Sequence, residues 1–599
     1  MHKKIILLVA ICILSVLSAF KAGGEDKKVT IEDMKIEKEF DIIVFGTDPE
    51  GIAAAVSASR LDQKVLLVDK RERLGGLFTL GGLNSLDMNY NPEKELLTKG
   101  LFEEFFKRVD EKTSFNTHLA EKAFNDMVNE EKNITLLLGK EIQKIEVKEN
   151  KIEHIKYKDD PILYKAKVYI DTTQDGDIAY LTGVPYTTGM EDAGVKGRKQ
   201  VATLVFEVAG VDYEKIYKHL RADGDYHTGA DETSAWGFLN EMKGYKSLSD
   251  RIRLRGLNIG KEDDGKVLIN AMHIFGVDPL SEKSKSEAIE LAKTELVYVI
   301  EYMRENIVGF ENAYLSKTME ELYIRESRHI DGEYKLTIND VLENKNFDDK
   351  IALGSYPIDI QPTSIHDWGT VIGTPKTYSI PIRCIVPKKI ENLLVASRAS
   401  SYTSLAHGTT RVVPVGMVVA EAASVTAFVS IYDEISLRDL AYSKEHISKV
   451  QEILKLQGAN LNEFSYPSEY DYHWTIEGTR MMFEKGFVSG GYSNDYKLGN
   501  KMKYNEFENL FRNFSKYVYG RKLNTQFVVA NNKFDFVEKD VIASILTTFA
   551  ENKKENFEYL YKNGYIKEVT YNKLKNKNKL LKAEVYMMVK EFADYLGVD

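Results

Sequence analysis

The chain has 599 residues, of which 43% are hydrophobic and 29% are charged, so it can bury several large cores and is expected to contain more than one domain. Its formal net charge at pH 7 is −10. Because there is no basic excess to neutralise phosphates, general binding to nucleic acid is excluded as a function class.

The N-terminus has the organisation of an export signal. A basic start at residues 2–4 precedes an apolar run from Ile5 to Phe20 and then small residues, which is typical of a secretory signal peptide, here residues 1–24. The alternative is an uncleaved membrane anchor, although a span needs about 20 apolar residues. We therefore predict an exported protein that is periplasmic or associated with the cell surface.

The chain contains two cysteines, Cys12 and Cys384. Since Cys12 lies in the predicted signal, the mature chain would keep one thiol, which excludes an internal disulfide and a cysteine metal cluster. No metal ligand is predicted. Cys384 lies in the apolar, strand-like run "PIRCIVP" and is predicted to be a core residue rather than a redox partner.

Residues 41–70, "DIIVFGTDPEGIAAAVSASRLDQKVLLVDK", predict a strand, a helix that begins at Pro49 and a second strand. The two short apolar runs suit buried parallel strands, and together the three elements form a βαβ unit. In such a unit Gly46 would form the tight turn, and Gly51 would let helix and strand approach closely. The helix amides would then face a pyrophosphate.

Asp48 stands where the second glycine of a dinucleotide fingerprint is expected, and an anionic side chain there disfavours phosphate. Two features nevertheless favour a cofactor site. Asp69 ends the second strand, where an acid binds the adenosine ribose, and the glycines of "RERLGGLFTLGGLN" would let a loop run close to a cofactor. The alternative is an ordinary α/β unit whose glycines form turns.

Further strands are predicted over 134–147 and 166–189, the second of which contains "DTTQDGDIAYLTG". This combination resembles the bacterial FAD-dependent oxidoreductases of the glutathione-reductase-like superfamily. In that family an apolar strand ends in alanine-threonine-glycine-aspartate-glycine-aspartate. Asp175 and the two residues after it fit this pattern, whereas Gln174 stands where glycine is usual.

Two later stretches extend the resemblance, which covers about residues 38–430. "ELYIRESRHIDGEYKLT" (321–337) is similar to the family's arginine-glutamate-x-arginine segment, and "NLLVASRASSYTSLAHGTTRVVPVGMVVAEAAS" (392–424) resembles its closing flavin segment. There a strand leads to a final helix, beginning near Pro414 and Gly416, whose N-terminus stabilises negative charge on the reduced flavin ring.

The resemblance implies an α/β fold with FAD as cofactor. A split, Rossmann-like FAD-binding domain with a parallel sheet would comprise 38–190 and 371–430, with a substrate or cap region at 191–370 and an α-helical C-terminal module at 431–599. The residues predicted to bind the cofactor are Gly46, Asp48, Pro49, Gly51, Asp69, Lys70, Gly75, Gly76, Asp175, Gly176, Asp177, Ser397, Arg398, Pro414, Gly416 and Met417.

Four residues are candidates for catalysis. His407 could transfer a proton near neutral pH, and Arg411 could hold a substrate carboxylate or stabilise reduced flavin. Arg325 and Arg328 are spaced so that one would face the substrate. The alternatives are a loop histidine bonded to backbone, an arginine that braces the final helix, and an ordinary ion pair with Glu326.

The C-terminal region contains an internal repeat. Gly486 to Glu506 and Gly564 to Glu584 are both 20 residues apart, and an aromatic residue follows each glycine. The spacing resembles S-layer homology repeats, which hold exported proteins to cell-wall polymers. Ten lysines against five glutamates over 551–590 would suit an anionic wall. The alternative is a helical bundle without a ligand.

These patterns predict an exported FAD-dependent oxidoreductase that transfers hydride or electrons between an unidentified small-molecule substrate and bound flavin. Its partners would be that substrate and a cell-wall polymer. Asp48 and Gln174 favour the alternative, a wall-associated binding protein that keeps the flavin fold without turnover. A nicotinamide dehydrogenase is disfavoured, since it would not need the segment 392–424.

Overall fold

A computed structural model describes residues 36–470, 473–519 and 535–598. The predicted signal peptide, residues 1–24, lies outside the described residues. The strands are β1 (Ile36–Phe45), β2 (Val65–Val68), β3 (Ile134–Leu137), β4 (Ile142–Lys148), β5 (Lys151–Tyr157), β6 (Ile162–Asp171), β7 (Tyr186–Thr188), β8 (Ala202–Ala209), β9 (Gly229–Ala230), β10 (Ser234–Gly237), β11 (Ile252–Leu254), β12 (Leu257–Lys261), β13 (Val267–Ile274), β14 (Tyr314–Thr318), β15 (Arg328–Ile330), β16 (Lys350–Gly354), β17 (Asp359–Ile360), β18 (Thr370–Val371), β19 (Tyr378–Pro381) and β20 (Leu393–Val395).

The α-helices are α1 (Pro49–Arg60), α2 (Gly76–Thr79), α3 (Leu101–Arg108), α4 (Thr117–Asn129), α5 (Asp177–Leu181), α6 (Tyr213–Ala222), α7 (Leu239–Met242), α8 (Glu282–Asn306), α9 (Ile338–Leu342), α10 (His407–Thr410), α11 (Val413–Tyr432), α12 (Leu437–Leu440), α13 (Lys444–Leu456), α14 (Ile476–Glu484), α15 (Tyr504–Tyr519), α16 (Lys539–Glu551), α17 (Phe557–Lys562), α18 (Glu568–Leu574) and α19 (Lys582–Tyr595).

The first sheet has the order β3-β2-β1-β6-β5-β4, with β20 beside the end of β6. Strands β3, β2, β1, β6 and β20 run parallel, whereas β4 and β5 form an antiparallel hairpin against β6. The predicted strand, helix and strand over 41–70 are confirmed as β1, α1 and β2. Ile42, Ile43 and Val44 are fully buried, as expected for a parallel strand covered on both faces.

Helix α11 lies against α1 in the centre of this core. It has the length and mean hydropathy of a membrane span, but 83% of its most apolar window is buried among other elements. Its small and β-branched residues, such as Ala420, Ala423 and Val425, permit this close packing. The helix therefore joins the two sequence-distant parts of the sheet into one core, because β20 precedes it and α1 contacts it.

The second sheet is entirely antiparallel and lies within the predicted substrate or cap region. Its order is β14-β8-β13-β12-β10-β9, with β11 beside β13. One face packs on α8 around Leu204, Met272 and Leu296. The opposite face carries Thr203 and His273, which are cross-strand neighbours of β8 and β13.

The region after residue 431 is helical as predicted. Helices α12 and α13 pack into the core of the parallel sheet, and most of the later helices share a core of their own. Three short segments, 501–503, 536–538 and 579–581, pair with one another in a closed triangle. Each precedes a helix (α15, α16 and α19), and their central residues Met502, Val537 and Leu580 are buried. The first and third segments belong to the two predicted copies, whereas the middle one was not predicted.

Cys384 is buried, and burial raises the pKa of its thiol well above the usual range, which leaves it unreactive. The predicted core role is confirmed. The predicted strand around it is wrong, because β19 ends at Pro381 and a 3₁₀ turn spans Ile382–Cys384.

Candidate functional site

A cavity of about 580 Å³ opens at the carboxyl ends of β1, β2 and β6. Gly46, Asp69 and Asp175 line it from these three strand ends. Its volume is in the range of small-molecule sites, and the carboxyl edge of parallel strands is where open α/β sheets bind ligands. The cavity is therefore the candidate cofactor site.

The two glycines of the first turn have the roles that the sequence predicts. Gly46 has a φ of +97°, in the left-handed region that favours glycine. A Cβ on Gly51 would overlap the carbonyl oxygen of Gly46. The turn from β1 into α1 thus requires glycine at both positions.

Arg71 compensates the charge of Asp48, which is buried in the turn. Its Nη1 donates to Asp48 Oδ2 at 2.6 Å and lies 3.4 Å from Asp69 Oδ2. Its Nε and Nη2 donate to the two carboxylate oxygens of Glu321 at 2.7 and 2.8 Å. Asp48 Oδ1 also accepts from the Leu77 amide at 3.1 Å. Asp48 therefore ties the turn to the glycine-rich loop as part of an ion-pair network.

Asp69 lines the cavity, but its carboxylate is largely engaged by its own loop. Oδ2 accepts from the amide and the hydroxyl of Thr47, both at 2.7 Å, and Oδ1 accepts from the Arg71 amide at 3.0 Å. Burial alone would raise the pKa of Asp69, but Arg71 and these hydrogen bonds hold it below its usual value. Its binding of a ribose stays a prediction.

Glu50, the second residue of α1, is buried between α1 and α11. Gln174 Nε2 donates to its Oε2 at 3.0 Å, and a Cβ on Gly416 would lie 2.5 Å from its Oε1. Burial, followed by the charge of Asp48, raises the pKa of Glu50 to about 8. The carboxyl is therefore mostly neutral at pH 7, and with Asp48 paired, the start of α1 carries little uncompensated negative charge.

Asp175 joins the three remaining motifs. Its Oδ1 accepts from Ser327 Oγ at 2.6 Å and from Arg398 Nη2 at 2.8 Å, and its carbonyl oxygen accepts from Arg328 Nη1 at 2.8 Å. Burial would raise the pKa of Asp175, yet the Arg398 charge and the Ser327 bond hold it below its usual value. The structure thus brings the ends of β6, the 325–328 segment and the closing segment together.

A smaller cavity adjoins the first one. Gln174, Ile324 and Arg398 line both. The guanidinium of Arg411 reaches the smaller cavity while donating to the Tyr323 hydroxyl at 2.8 Å and pairing with Asp359 at 3.1 Å.

Arg325, also in the lining of the smaller cavity, donates to Val201 O at 3.0 Å and to Thr203 Oγ1 at 2.8 Å. Two of the four predicted catalytic residues, Arg325 and Arg411, are therefore brought together. Arg328 instead lines the larger cavity, beside Asp177.

His407 lines neither of these cavities. Its buried ring packs edge-to-face on His329 with centroids 5.0 Å apart, and His329 Nε2 lies 3.1 Å from Glu326 Oε1. Burial, followed by the charges of His329 and Arg411, lowers the pKa of His407 well below the usual value. It is thus a neutral core imidazole here, and its role in proton transfer stays a prediction.

The other predicted cofactor residues divide into two groups. Those that line the larger cavity are Gly46, Asp48, Asp69, Lys70, Asp175, Asp177 and Arg398. Those that line neither cavity are Pro49, Gly51, Gly75, Gly76, Gly176, Ser397, Pro414, Gly416 and Met417. Two residues of the second group hold the backbone close to the first group: the Gly75 amide donates to Thr47 O at 2.8 Å, and Ser397 Oγ donates to Thr173 O at 2.8 Å.

Sequence reasoning missed Arg71, Glu50 and Tyr323. The available signals were weak: Arg71 follows the predicted ribose acid by two residues, and Glu50 adds a second acid to a turn that should favour phosphate. Their partners Glu321, Gln174 and Arg411 are distant in sequence, so only the folded chain reveals the pairing.

The residues around both cavities fit a flavin dinucleotide. The Nε atoms of Arg328, Arg398 and Arg411 are buried without a hydrogen-bond partner. Guanidinium donors suit the phosphate and carbonyl oxygens of such a cofactor. A Cβ at Gly46 would stand only 3.1 Å from the Thr172 carbonyl group, so glycine lets the ends of β1 and β6 lie close together beside the cavity.

A mixed α/β fold with a cofactor-sized cavity at its parallel strand ends, followed by a helical region, defines the class as a cofactor-binding enzyme. Residues 41–454 match the family model described as FAD dependent oxidoreductase. The chain belongs to this family, is an FAD-dependent enzyme, and has FAD as its cofactor.

Among curated proteins, none is similar enough to match. Several solved flavoenzyme structures are distantly similar. A geranylgeranyl bacteriochlorophyll reductase-like protein from Thermoplasma acidophilum has 11% identity and a TM-score of 0.36, covering 71% of this chain and 85% of its own. The p-nitrophenol 4-monooxygenase PnpA from Pseudomonas putida has 10% identity and a TM-score of 0.35, and the match covers 81% of this chain and 99% of its own.

PqsL from Pseudomonas aeruginosa, described as a probable FAD-dependent monooxygenase, has 9% identity and a TM-score of 0.34, covering 71% of this chain and 96% of its own. Likeness this distant carries no argument about substrate or reaction.

Proposed function

We propose that this protein is an exported oxidoreductase that passes a hydride or electrons between a small organic substrate and FAD, with a C-terminal module that attaches it to the cell wall. The observation that carries the catalytic part is the junction of two cavities at Arg398. One cavity has the strand ends expected for a dinucleotide, and the other has the buried arginines Arg325 and Arg411.

Bound FAD would supply the hydride or electron acceptor. Residues of the chain would position the substrate and balance charge. Arg411 lies immediately before α11, and both its guanidinium and the N-terminus of that helix are sources of positive potential. The neutral Glu50 and Gln174 would separate this positive potential from the carboxylates that pair with Arg71.

We further propose that the parallel sheet is the split, Rossmann-like FAD-binding domain of the glutathione-reductase-like superfamily. The strand order and the return of the chain through β20 to β6 support this assignment. The second sheet would then be the substrate or cap region at 191–370.

The catalytic proposal is tested on the purified full chain. Its visible spectrum should show flavin, and anaerobic addition of a donor from a panel of amines, alcohols and organic acids should bleach it. Flavin that stays oxidised with every donor, while a chemical reductant still reduces it, would favour the alternative of a binding protein without turnover. Denaturing the protein shows whether the flavin is covalently held.

Replacement of Arg411 tests its part in charge balance without requiring the substrate. Arg411→Gln should lower the midpoint potential of the bound flavin, because it removes a positive charge that favours the reduced, more negative form. A dye-coupled redox titration measures this potential. Arg438→Gln, which removes a half-buried arginine paired with Glu333 at 2.7 Å, is the control. Equal potentials in both variants would contradict the assignment.

The closed triangle of three equivalent segments supports S-layer-homology-like repeats in the tail. Two lysines lie just after two of these segments: Lys582 Nζ pairs with Glu506 of another copy at 2.7 Å, and Lys539 Nζ donates to Lys575 O at 2.7 Å. The full chain should co-sediment with purified anionic wall polymer and be released by salt. Absence of sedimentation would refute wall attachment, and sedimentation unchanged by salt would refute its electrostatic basis.

Export is tested separately by the intact mass of protein recovered from the cell envelope. A mass lacking about the first 24 residues would support the predicted signal peptide. Recovery of the full-length mass from the cytoplasm would contradict it.

A further inference from the structure

We infer that the cavity between Arg325 and Arg411 binds a carboxylate group, so that the substrate is a small organic acid. This inference rests on the proposed oxidoreductase function and names the chemical class of its substrate. It is carried by an excess of buried and half-buried arginines on one face of the antiparallel sheet.

The arginines are gathered by the pairing of three strands. Arg253 of β11 is the cross-strand neighbour of His273, which in turn pairs with Thr203 of β8. Directly opposed residues of antiparallel strands share a face, so these three side chains form one polar row. Arg325 extends the row, since its Nη1 donates to Thr203 Oγ1 at 2.8 Å.

The donors of this row are met by neutral acceptors. Arg253 donates to the carbonyl oxygens of Ile365 and Asp367, each at 2.8 Å, and Arg255 reaches Gln361 Oε1 at 3.4 Å. Within residues 36–470, 473–519 and 535–598, no carboxylate lies within ion-pair distance of Arg253, Arg255 or Arg325, whereas Arg411 on the other side of the cavity pairs with Asp359 at 3.1 Å.

Arg325 illustrates the electrostatic cost of this arrangement. It is only 3% exposed, and its guanidinium lies over the ring of Tyr323, 4.1 Å from the ring centroid. Burial and the nearby charges of Arg411 and Arg255 outweigh the opposing effects of Tyr323 and Asp359 and lower its pKa to about 10. A buried charge without a partner of opposite sign is costly, so an anionic group of the ligand would stabilise this site.

His273 supplies an independent observation in the same row. It is 3% exposed, and neither ring nitrogen has a hydrogen-bond partner. Burial, followed by the charges of Arg325, Arg255 and Arg253, lowers the pKa of His273 well below the usual value. The neutral imidazole thus offers one donor and one acceptor inside a positively charged layer.

The free volume of the smaller cavity limits which anionic group it can bind. The smaller cavity has about 10 Å³ of free volume, which is close to the space of a single water. It admits the end of a molecule rather than a whole one, and a planar carboxylate matches the fork of a guanidinium in two parallel hydrogen bonds. Phosphate can bind a guanidinium in the same way, but the limited free volume favours the smaller, planar carboxylate over a tetrahedral phosphate or sulfate.

The experiment uses the FAD-loaded full chain with benzoate and succinate as probes and with benzamide and succinamide as their uncharged counterparts. Binding is followed by calorimetry and by the change in the visible spectrum of the flavin. At least one carboxylate should bind in the millimolar range or tighter, and its amide should bind at least about tenfold more weakly.

Arg325→Gln should weaken carboxylate binding by about tenfold or more, and Arg325→Lys by less, since the charge remains but the fork is lost. Should Arg325→Gln not fold, the half-buried Arg255→Gln provides the second variant. Arg438→Gln should bind as the wild type does.

Equal binding of acid and amide, absence of binding by either carboxylate, or unchanged affinity in Arg325→Gln would overturn the inference. The outcomes remain separable from those of the proposed function. A protein that binds benzoate through Arg325 but whose flavin no donor reduces would keep the carboxylate site and lose the oxidoreductase activity.

Discussion

Arg71 compensates the negative charge around the turn from β1 into α1. Asp48, Asp69 and Glu321 all lie within ion-pair distance of its guanidinium. The sequence raised Asp48 as an objection to phosphate binding. In the structure, Arg71 neutralises this charge, and its most distant partner in the sequence, Glu321, is 250 residues away. Such a pairing leaves no local pattern, which is why sequence reasoning did not find it.

Arg71→Gln should destabilise the protein by about 3 kcal/mol, since it leaves buried carboxylates unpaired, and should weaken retention of FAD. Adding Asp48→Asn should recover about 1 kcal/mol of this loss through removal of one of those charges. Urea unfolding of both variants and of Asp48→Asn alone completes the double-mutant cycle. Strictly additive losses would show that the two residues do not interact.

Glu50 should make stability depend on pH. Its pKa is raised from 4.5 to about 8 in the folded chain, so the folded state holds a proton that the unfolded state releases between these values. The contribution of Glu50 to stability is therefore fully present below pH 4.5 and is lost as the pH rises through about 8.

Glu50→Gln should remove this dependence and become more stable than the wild type by up to about 5 kcal/mol at alkaline pH. The two proteins should be alike at acid pH, because Glu50 is then neutral and Gln keeps the acceptor for Gln174. Chemical unfolding across the pH range measures the difference. Parallel curves would mean that the carboxyl is not buried as described.

At the scale of elements, α11 holds together segments that are distant in the chain. Its Glu421 reaches out of the helix to accept from the Leu101 amide at 2.9 Å, at the first turn of α3. Gly100, which precedes that turn with a φ of +70°, has no side chain for capping, and a Cβ there would overlap Glu421 Oε2.

Gly100→Ala should therefore cost more than backbone strain alone. Gly197→Ala is a matched control, because Gly197 has a φ of +71° and no atom within 4 Å of an added Cβ. We expect a loss of about 1 kcal/mol for the control and about 2 kcal/mol more for Gly100→Ala, which must displace a buried carboxyl from its amide. Thermal unfolding compares them, and equal losses would exclude the Glu421 contact.

Apolar patterning predicted β1 and β2, which are short continuous apolar runs, and α1, which is an alanine-rich stretch that begins at Pro49. The family resemblance predicted β20 and the start of α11 near Pro414, which stands in the first turn of the helix. The antiparallel sheet was expected only as a substrate or cap region, since β8 pairs with β13 and β14 across long connections. The third copy in the tail escaped notice because 536–538 lacks the glycine and aromatic spacing of the other two.

At the scale of the whole molecule, the region from α14 onward packs on the catalytic body through Phe483 and Tyr496, which belong to the core of the parallel sheet, and through a small set of polar contacts. Arg480 of α14 binds both carboxylate oxygens of Glu343, at 2.7 and 3.0 Å, just after α9. The Tyr470 hydroxyl donates to the same carboxylate at 2.6 Å, and the Gly490 amide donates to Ile372 O at 2.8 Å.

Arg480→Ala should loosen this docking by about 1–2 kcal/mol. Hydrogen exchange should then rise in α14 and at residues 339–344 while the core of the parallel sheet stays protected. Arg512→Ala, which breaks an exposed ion pair with Glu508 within one helix, should leave exchange at the interface unchanged. Equal protection in both variants would show that Arg480 contributes nothing to the docking.

The three-cornered pairing in the tail fixes the number of its copies. In an open row of repeats, an end unit can be lost or duplicated while its neighbours keep their contacts. Here each segment hydrogen-bonds both others, so removing one leaves two unpaired edges, and a fourth has no edge to join. Shortening or lengthening this region by one copy would therefore abolish the arrangement rather than rescale it.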